Sequence, residues 1–285
     1  MLEARSIALV GASPRAGSLG NRMIAEVAKS PSAPRTYLVN PRHKEIAGRA
    51  CYPSLAALPE PADLALLAVP DEALREQVQA AADATVRSVV IFGSAFDGGE
   101  NALRDAIATI ANSAGMPVCG AGCMGFVNVA HGLRAVGYVE RDQLPQGPVA
   151  LVTHSGSVFS ALLRAQRAFG FTVAVSSGQE LVTSAAAYAR YALTLPRTRV
   201  LALVLETIRD AAAAATTKPV AVLASVPAAI DQAAAARLRE AGVPVLESTR
   251  TGLLALSHLL APVSRRRLPR TSPAATAGRP GSGTA

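Results

Sequence analysis

Along the first half of the chain, short apolar, β-branched runs alternate with Ala-rich stretches in which apolar positions return every three to four residues. The runs predict buried strands and the stretches amphipathic helices, and their alternation is the pattern of β-α-β units around a parallel sheet. Strands are expected near Ile7–Val10, Thr36–Val39, Leu64–Val69, Ser88–Phe92 and Pro117–Cys119, with helices over Asn21–Lys29, Glu72–Ala82 and Glu100–Ala114. Residues 1–143 therefore read as a doubly wound, Rossmann-like α/β domain. A Pro/Gln/Gly segment at Leu144–Pro148 interrupts the pattern. A second series then begins, with strands near Val149–Thr153, Val173–Ser176, Val200–Leu205, Val220–Leu223 and Val243–Leu246, so residues 147–262 read as a flavodoxin-like α/β domain. From about Val263 the chain is rich in Arg, Pro, Ser, Gly and Ala and cannot bury a core, so residues 263–285 are expected to be a disordered basic tail.

Composition narrows the function. The net charge is +8, but Arg265, Arg266, Arg267, Arg270 and Arg279 of the tail supply five of these charges, and Trp is absent. No basic stripe is interleaved with aromatic residues, so no nucleic-acid surface is expected. The apolar runs are far shorter than the roughly 20 residues of a membrane span, and the start of the chain lacks the pattern of a signal peptide. A cytoplasmic protein away from the membrane is expected. Cys51, Cys119 and Cys123 form an odd set without a CxxC spacing, which argues against disulfides and leaves no expected metal site.

Two strand-to-helix turns carry the candidate chemistry. Strand one leads into Val10-Gly11-Ala12-Ser13-Pro14-Arg15-Ala16-Gly17-Ser18-Leu19-Gly20, where free backbone N–H groups and a helix N-terminus favour a phosphate. At the end of strand two, where an NAD enzyme carries an acid for the ribose, stands Asn40-Pro41-Arg42-His43-Lys44. A basic cluster there suits a phosphorylated ribose, as in NADP or the 3′-phosphate of coenzyme A, and is otherwise a solvated turn. In the second domain, Thr153-His154-Ser155-Gly156-Ser157 repeats the strand, turn and helix start, with serine hydroxyls that cap the helix or hold a phosphoryl or carboxylate group.

Residues 6–99, with VGASPRAGSLGNRM, YLVNPRHKEIAGRACYPSLAALPEPADLALLAVP and VVIFGSAFDGG, resemble the CoA-binding domain of NDP-forming acyl-CoA synthetases and succinyl-CoA synthetase α subunits. The resemblance implies that Gly11, Ser13, Arg15, Gly17, Asn40, Lys44, Val69, Pro70, Phe92, Gly93 and Ser94 surround CoA, bound as a substrate. Gly120–Asn128 resembles the loop between that family's two domains, but Ala121 and Gly122 stand where the family has Pro and Asn. Cys123 in this loop is read as a packed side chain rather than a nucleophile. Ser155, Gly156 and Ser157 match the helix N-terminus that the family uses around a phosphoryl or acyl group, and Glu206 matches the residue that orients its phosphohistidine; these four are the implied catalytic set. Residues 175–180 match a further signature.

Two family features are missing. The mobile phosphohistidine loop has no counterpart, because none of the four histidines, His43, His131, His154 and His258, lies in such a loop. Residues 241–256 resemble a branch of the family without it. An ATP-grasp domain of some 200 residues is also missing, so ATP and Mg are expected only through a separate ATP-grasp subunit. Self-association is compatible with all of this. The favoured expectation is an α-type subunit that joins CoA to an acyl group delivered as an acyl phosphate, with a carboxylic acid as the ultimate substrate. The alternatives are a catalytically idle sensor or scaffold for CoA or acyl-CoA, and an NADP oxidoreductase whose hydride site cannot be located.

Overall fold

A computed structural model describes residues 1–99, 101–142, 144–165, 169–205, 218–223, 232–246 and 248–260. Its first sheet is built from β1 (Ser6–Val10), α1 (Leu19–Ala28), β2 (Arg35–Val39), β3 (Glu45–Ile46), β4 (Arg49–Tyr52), β5 (Leu64–Leu67), α2 (Asp71–Asp83), β6 (Val89–Ile91), α3 (Ala102–Ser113) and β7 (Val118–Cys119). The strand order is β3-β4-β2-β1-β5-β6-β7, parallel except for the β3–β4 pair. The chain passes from β4 across β2 and β1 to reach β5, so a crevice opens beyond the carboxyl ends of β1 and β5, the usual ligand position in such sheets. The β3–β4 hairpin was not legible in the sequence, because two-residue and four-residue strands are too short to show a period.

The second sheet contains β8 (Gly125–Asn128), β9 (Leu133–Val136), β10 (Gln146–Thr153), β11 (Phe171–Ser176), β12 (Val200–Val204), β13 (Val220–Leu223) and β14 (Val245–Leu246), with helices α4 (Gly156–Arg164), α5 (Ala185–Thr194), α6 (Gln232–Glu240) and α7 (Thr249–Leu260). Its order is β14-β13-β12-β10-β11-β8-β9. The β8–β9 hairpin precedes residue 143, where the sequence pattern set the domain boundary, yet it hydrogen-bonds antiparallel to β11 and belongs to the second sheet. A composition break marks where the chain changes character, whereas sheet membership is decided by pairing partners 45 to 51 residues away.

The strands are apolar on both faces because helices cover both faces of each sheet. In β1, Ile7 and Leu9 pack into one cluster and Ala8 and Val10 into another, as the two-residue period of a strand dictates. The first cluster continues without a break through α1 and α5 to Val152, Val175, Leu201 and Val222 of the second sheet. The two sheets thus share one buried layer. Glu26 of α1, only 1% exposed, is bound there by Arg134 of β9, which also donates to the carbonyl of Arg141 at 2.9 Å, and Lys29 joins Glu26 at 2.7 Å and Asp142 at 2.8 Å. Glu140, also buried, accepts from Ser160 and, at 3.2 Å, from Arg164 of α4. The connector is anchored to both sheets by these ions.

Among the described residues, no helix is long and apolar enough to cross a membrane, and no cluster of three His, Cys, Asp or Glu could hold a metal ion. Glu206 and residues 263–285 lie outside the described residues.

Candidate functional site

The glycine loop after β1 is shaped by its neighbours. Gly11 has φ +84°, and a Cβ on it would come within 2.2 Å of the Ala68 carbonyl at the end of β5, so no other residue lets β1 turn this close to its neighbour. Ser18 caps α1 by accepting from the Asn21 N–H at 3.2 Å, and Ser13 Oγ accepts from the Arg15 N–H, also at 3.2 Å. Asn40 ties the loop to the end of β2: its Nδ2 donates to the Ala12 carbonyl at 2.7 Å, while its Oδ1 accepts from the Arg42 N–H at 2.9 Å. Asn40 therefore holds two loops in register, whatever else it contacts. The side chains of Arg15, Arg42 and Lys44 are exposed, with no hydrogen-bonding or ion-pair partner among the described residues.

The remaining members of the implied CoA set behave differently from one another. Val69 is half-buried, and Pro70 is the exposed N-cap of α2. Phe92 is only 5% exposed, edge-on to Tyr138 at 6.3 Å between ring centres and packed near Gly125 and Gly137, so its ring fills the space between the sheets. Ser94 Oγ donates to Asp71 Oδ2 at 2.6 Å, and the Phe96 N–H donates to the same oxygen at 3.0 Å. Burial pushes the Asp71 carboxyl up, but donation from Phe96, Ser94 and Ala95 outweighs it and holds the group below the ordinary carboxylate range.

The loop after β6 meets the second sheet directly. The Gly122 N–H donates to the Gly93 carbonyl at 2.6 Å, and Gln179 Nε2 donates to the Ser94 carbonyl at 3.2 Å. Gly178, at φ +63°, would place a Cβ 2.2 Å from the Ala121 carbonyl, which shows how tightly the loop between the sheets lies on the turn after β11. Cys123, 2% exposed, donates from Sγ to the Ile91 carbonyl at 3.3 Å, and burial pushes its thiol well up. It is a packed thiol and not a nucleophile.

The serine turn after β10 opens on a cleft of about 800 Å³. Ser155 caps α4, its Oγ lying 3.4 Å from the Val158 N–H and 3.0 Å from Ser157 Oγ. The first-turn N–H groups of Gly156 and Ser157 face no helical acceptor, the arrangement that binds anions. His154 and Glu180 line the same cleft and are hydrogen-bonded, Nε2 to Oε1, at 2.8 Å with side chains 9% and 4% exposed. The same Glu180 oxygen accepts from Ser177 Oγ at 2.9 Å and from the Ala185 N–H at 2.8 Å. Burial pushes the Glu180 carboxyl up, but His154, Ser177 and Ala185 together hold it below its ordinary value. Asn101, Arg104 and Asp105 of the first sheet's α3 region form the opposite wall.

The structure thus brings Ser155, Gly156 and Ser157 together in one cleft, and reaches it from the implied CoA set only through Gly93 and Ser94. Gly11, Ser13, Arg15, Gly17, Asn40, Lys44, Val69 and Pro70 lie at the carboxyl edge of the first sheet, outside the cleft lining. Sequence reasoning did not single out Glu180, Gln179 or Arg104. Glu180 stands inside the 175–180 signature and its partner His154 in the turn after β10, but their 26-residue separation carries no period that pairs them.

Two family models match the chain in order: the CoA binding domain over residues 5–129 and the succinyl-CoA ligase like flavodoxin domain over residues 146–251. Acetate–CoA ligase (ADP-forming) I of Archaeoglobus fulgidus is 28% identical over 72% of this chain and 30% of its own length. A trans-feruloyl-CoA synthase of an unknown prokaryotic organism is 30% identical over 73% of this chain and 31% of its own. The subunit alpha of acetate–CoA ligase (ADP-forming) II from Pyrococcus furiosus is 27% identical over 72% of this chain and 45% of its own. The chain thus spans less than half the length of these relatives. In fold it is similar to the dinucleotide-forming acetyl-coenzyme A synthetase 1 of Ca. Korarchaeum cryptofilum, at TM-score 0.82 and 22% identity, over 90% of this chain and 61% of that one. With both domain models in sequence and relatives of one kind, the chain belongs to the NDP-forming acyl-CoA synthetase and succinyl-CoA ligase α-subunit family, of which it carries the CoA-binding and flavodoxin-like domains.

Proposed function

We propose that this chain is the CoA-binding, α-type component of an NDP-forming acyl-CoA synthetase, and that it forms an acyl-CoA thioester from an acyl phosphate supplied with a separate ATP-grasp subunit. The observation that carries the reading is the junction of the two turns. Gly93 and Ser94, at the carboxyl end of the first sheet, are hydrogen-bonded to Gly122 and Gln179 beside the serine turn. A CoA lying along the first sheet, with a phosphate at the Gly11–Ser18 loop and its 3′-phosphate near Lys44, Arg42 and Arg15, has its thiol end directed toward that junction. The Ser155–Ser157 helix N-terminus then holds the phosphoryl end of the acyl phosphate, and Glu206 orients the reacting group. Thiol attack on the acyl carbon forms the C–S bond as the C–O bond to phosphate breaks; phosphate leaves with the bonding electrons, and the thiol proton passes to solvent or phosphate.

Three exposed cations fit a phosphorylated ligand, since among the described residues no acid pairs with them. Calorimetric titration with CoA, 3′-dephospho-CoA and NADP tests the assignment. CoA should bind most tightly and dephospho-CoA more weakly; a preference for NADP, or no binding of CoA, overturns it.

A second reading, a CoA or acyl-CoA sensor without turnover, is favoured by a specific feature: His154 alone among the four histidines lines the cleft, and it is held by Glu180. Thioester formation from CoA and acetyl phosphate, assayed with and without an ATP-grasp protein, separates the two. Tight CoA binding with no thioester in either assay supports the sensor.

A further inference from the structure

The wall of the cleft opposite the serine turn carries a charge that the protein leaves unanswered. Arg104 of α3 is half-buried and fixed by two hydrogen bonds, Nε to the Ala95 carbonyl at 3.2 Å and Nη1 to Asn101 Oδ1 at 3.0 Å. Both partners are neutral, and among the described residues no carboxylate lies within ion-pair distance of the guanidinium. Asp105 follows it on the helix and lines the same cleft without pairing with it. The guanidinium faces a cleft whose other wall presents the N-terminus of α4 and His154. Glu180, the acid on that wall, is already engaged by three donors on one oxygen.

The Arg104 guanidinium and the N–H groups that open α4 therefore line one space, and both favour an anion there. A guanidinium held by its Nε and one Nη keeps further N–H donors for a planar or tetrahedral oxyanion, and being pre-oriented it loses little freedom on binding.

We propose that Arg104 is the first domain's ligand to a phosphoryl group seated on the Ser155–Ser157 turn, so that the anion is clamped between the two domains. This rests on the phosphoryl assignment of the serine turn made above and extends it. The ligand chemistry is a phosphate monoanion or dianion, whether free phosphate or the phosphoryl end of a small acyl phosphate. Arg104 of α3 and the start of α4 line one cleft, so an anion bound by both becomes a tie between the domains.

Calorimetric titrations of the full chain with inorganic phosphate, acetyl phosphate and CoA, on wild type, Arg104→Gln, Arg104→Lys and Ser155→Ala, test the assignment. The expected result is binding of phosphate or acetyl phosphate that weakens about tenfold or more in Arg104→Gln, the worth of one charge-assisted contact, and is partly recovered in Arg104→Lys. CoA affinity should stay within about twofold of wild type, which shows that the loop after β6 has kept its shape. The two phosphate probes distinguish the sources, since a site for the substrate binds acetyl phosphate more tightly than phosphate. Unchanged phosphate affinity in Arg104→Gln, with loss in Ser155→Ala, overturns the clamp and leaves the serine-turn reading standing. Equal losses for CoA and phosphate in Arg104→Gln also overturn it, because the residue would then act only through the loop. A wild-type chain that binds CoA but neither phosphate probe overturns both the clamp and the phosphoryl reading of the serine turn.

Discussion

The two strand-to-helix turns, Gly11–Ser18 after β1 and His154–Ser155 after β10, start from the same local design and are finished differently. Each leads into a helix whose N-cap is a serine accepting from a first-turn N–H. The first turn is long and glycine-rich, and its nearby cations are exposed and unpaired. The second is two residues long, and its His154 is held by a buried hydrogen bond to Glu180. A long open loop with loose cations suits an extended ligand carrying several phosphates, because each can find a donor without a fixed spacing. A short turn backed by a buried pair suits a compact anion that must be held in one place. The contrast also locates the rigidity: the Asn40 tether fixes the base of the first loop but leaves its cations free, whereas the second turn is fixed at its charged group.

The largest test of this contrast is at Gly11. Gly11→Ala must escape both the left-handed φ and the 2.2 Å approach to the Ala68 carbonyl, so a loss of about 3 kcal/mol or more in stability and of CoA binding is expected, read by thermal unfolding and calorimetry. Next in size is Glu180→Ala, which strands His154 Nε2, Ser177 Oγ and the Ala185 N–H. About 2–3 kcal/mol of destabilisation is expected near neutral pH.

That loss should depend on pH in one direction. The folded Glu180 carboxyl lies below its ordinary value of 4.5, so its contribution is complete above that value and disappears as the pH falls through the lower, folded one. The difference in melting temperature between wild type and Glu180→Ala should narrow in acid below pH 4.5, and a constant difference would mean that the carboxylate charge is not what matters. Smaller still is Lys44→Ala, expected to weaken CoA about five- to tenfold and 3′-dephospho-CoA hardly at all, with no effect on stability. The smallest expected structural effect is Ser155→Ala, about 1 kcal/mol from the lost cap, beside its effect on phosphate binding. If Ser155→Ala moved CoA affinity as much as Lys44→Ala does, the two turns would not be separate sites.

Much of the architecture was legible in the chain. The strands β1, β5, β6, β10, β12 and β13 fall on apolar runs that the sequence pattern singles out, because a strand buried on both faces has no polar positions to obscure it. Helix α5 and the β3–β4 and β8–β9 hairpins were not, since Ala-rich and very short segments carry no clear period. Of the site, the glycine loop and the serine turn were legible because each places its glycines and serines next to a strand end. Phe92 reads as the end of a strand and as a member of the implied CoA set, but it is buried between the sheets, a position that depends on Tyr138, 46 residues on.

By itself, the sequence determined that there are two successive α/β units, that each presents a helix N-terminus after a strand, and that the basic cluster around Lys44 stands where a dinucleotide enzyme has an acid. These are local properties, set by periodicity and by residue type within one turn. The tertiary structure alone decided that β8 and β9 complete the second sheet, that Glu180 holds His154, and that Arg104 lines the same cleft as the serine turn. Each of these depends on how helices and sheets stack through the shared buried layer, and packing brings together residues whose spacing along the chain carries no sign of the encounter.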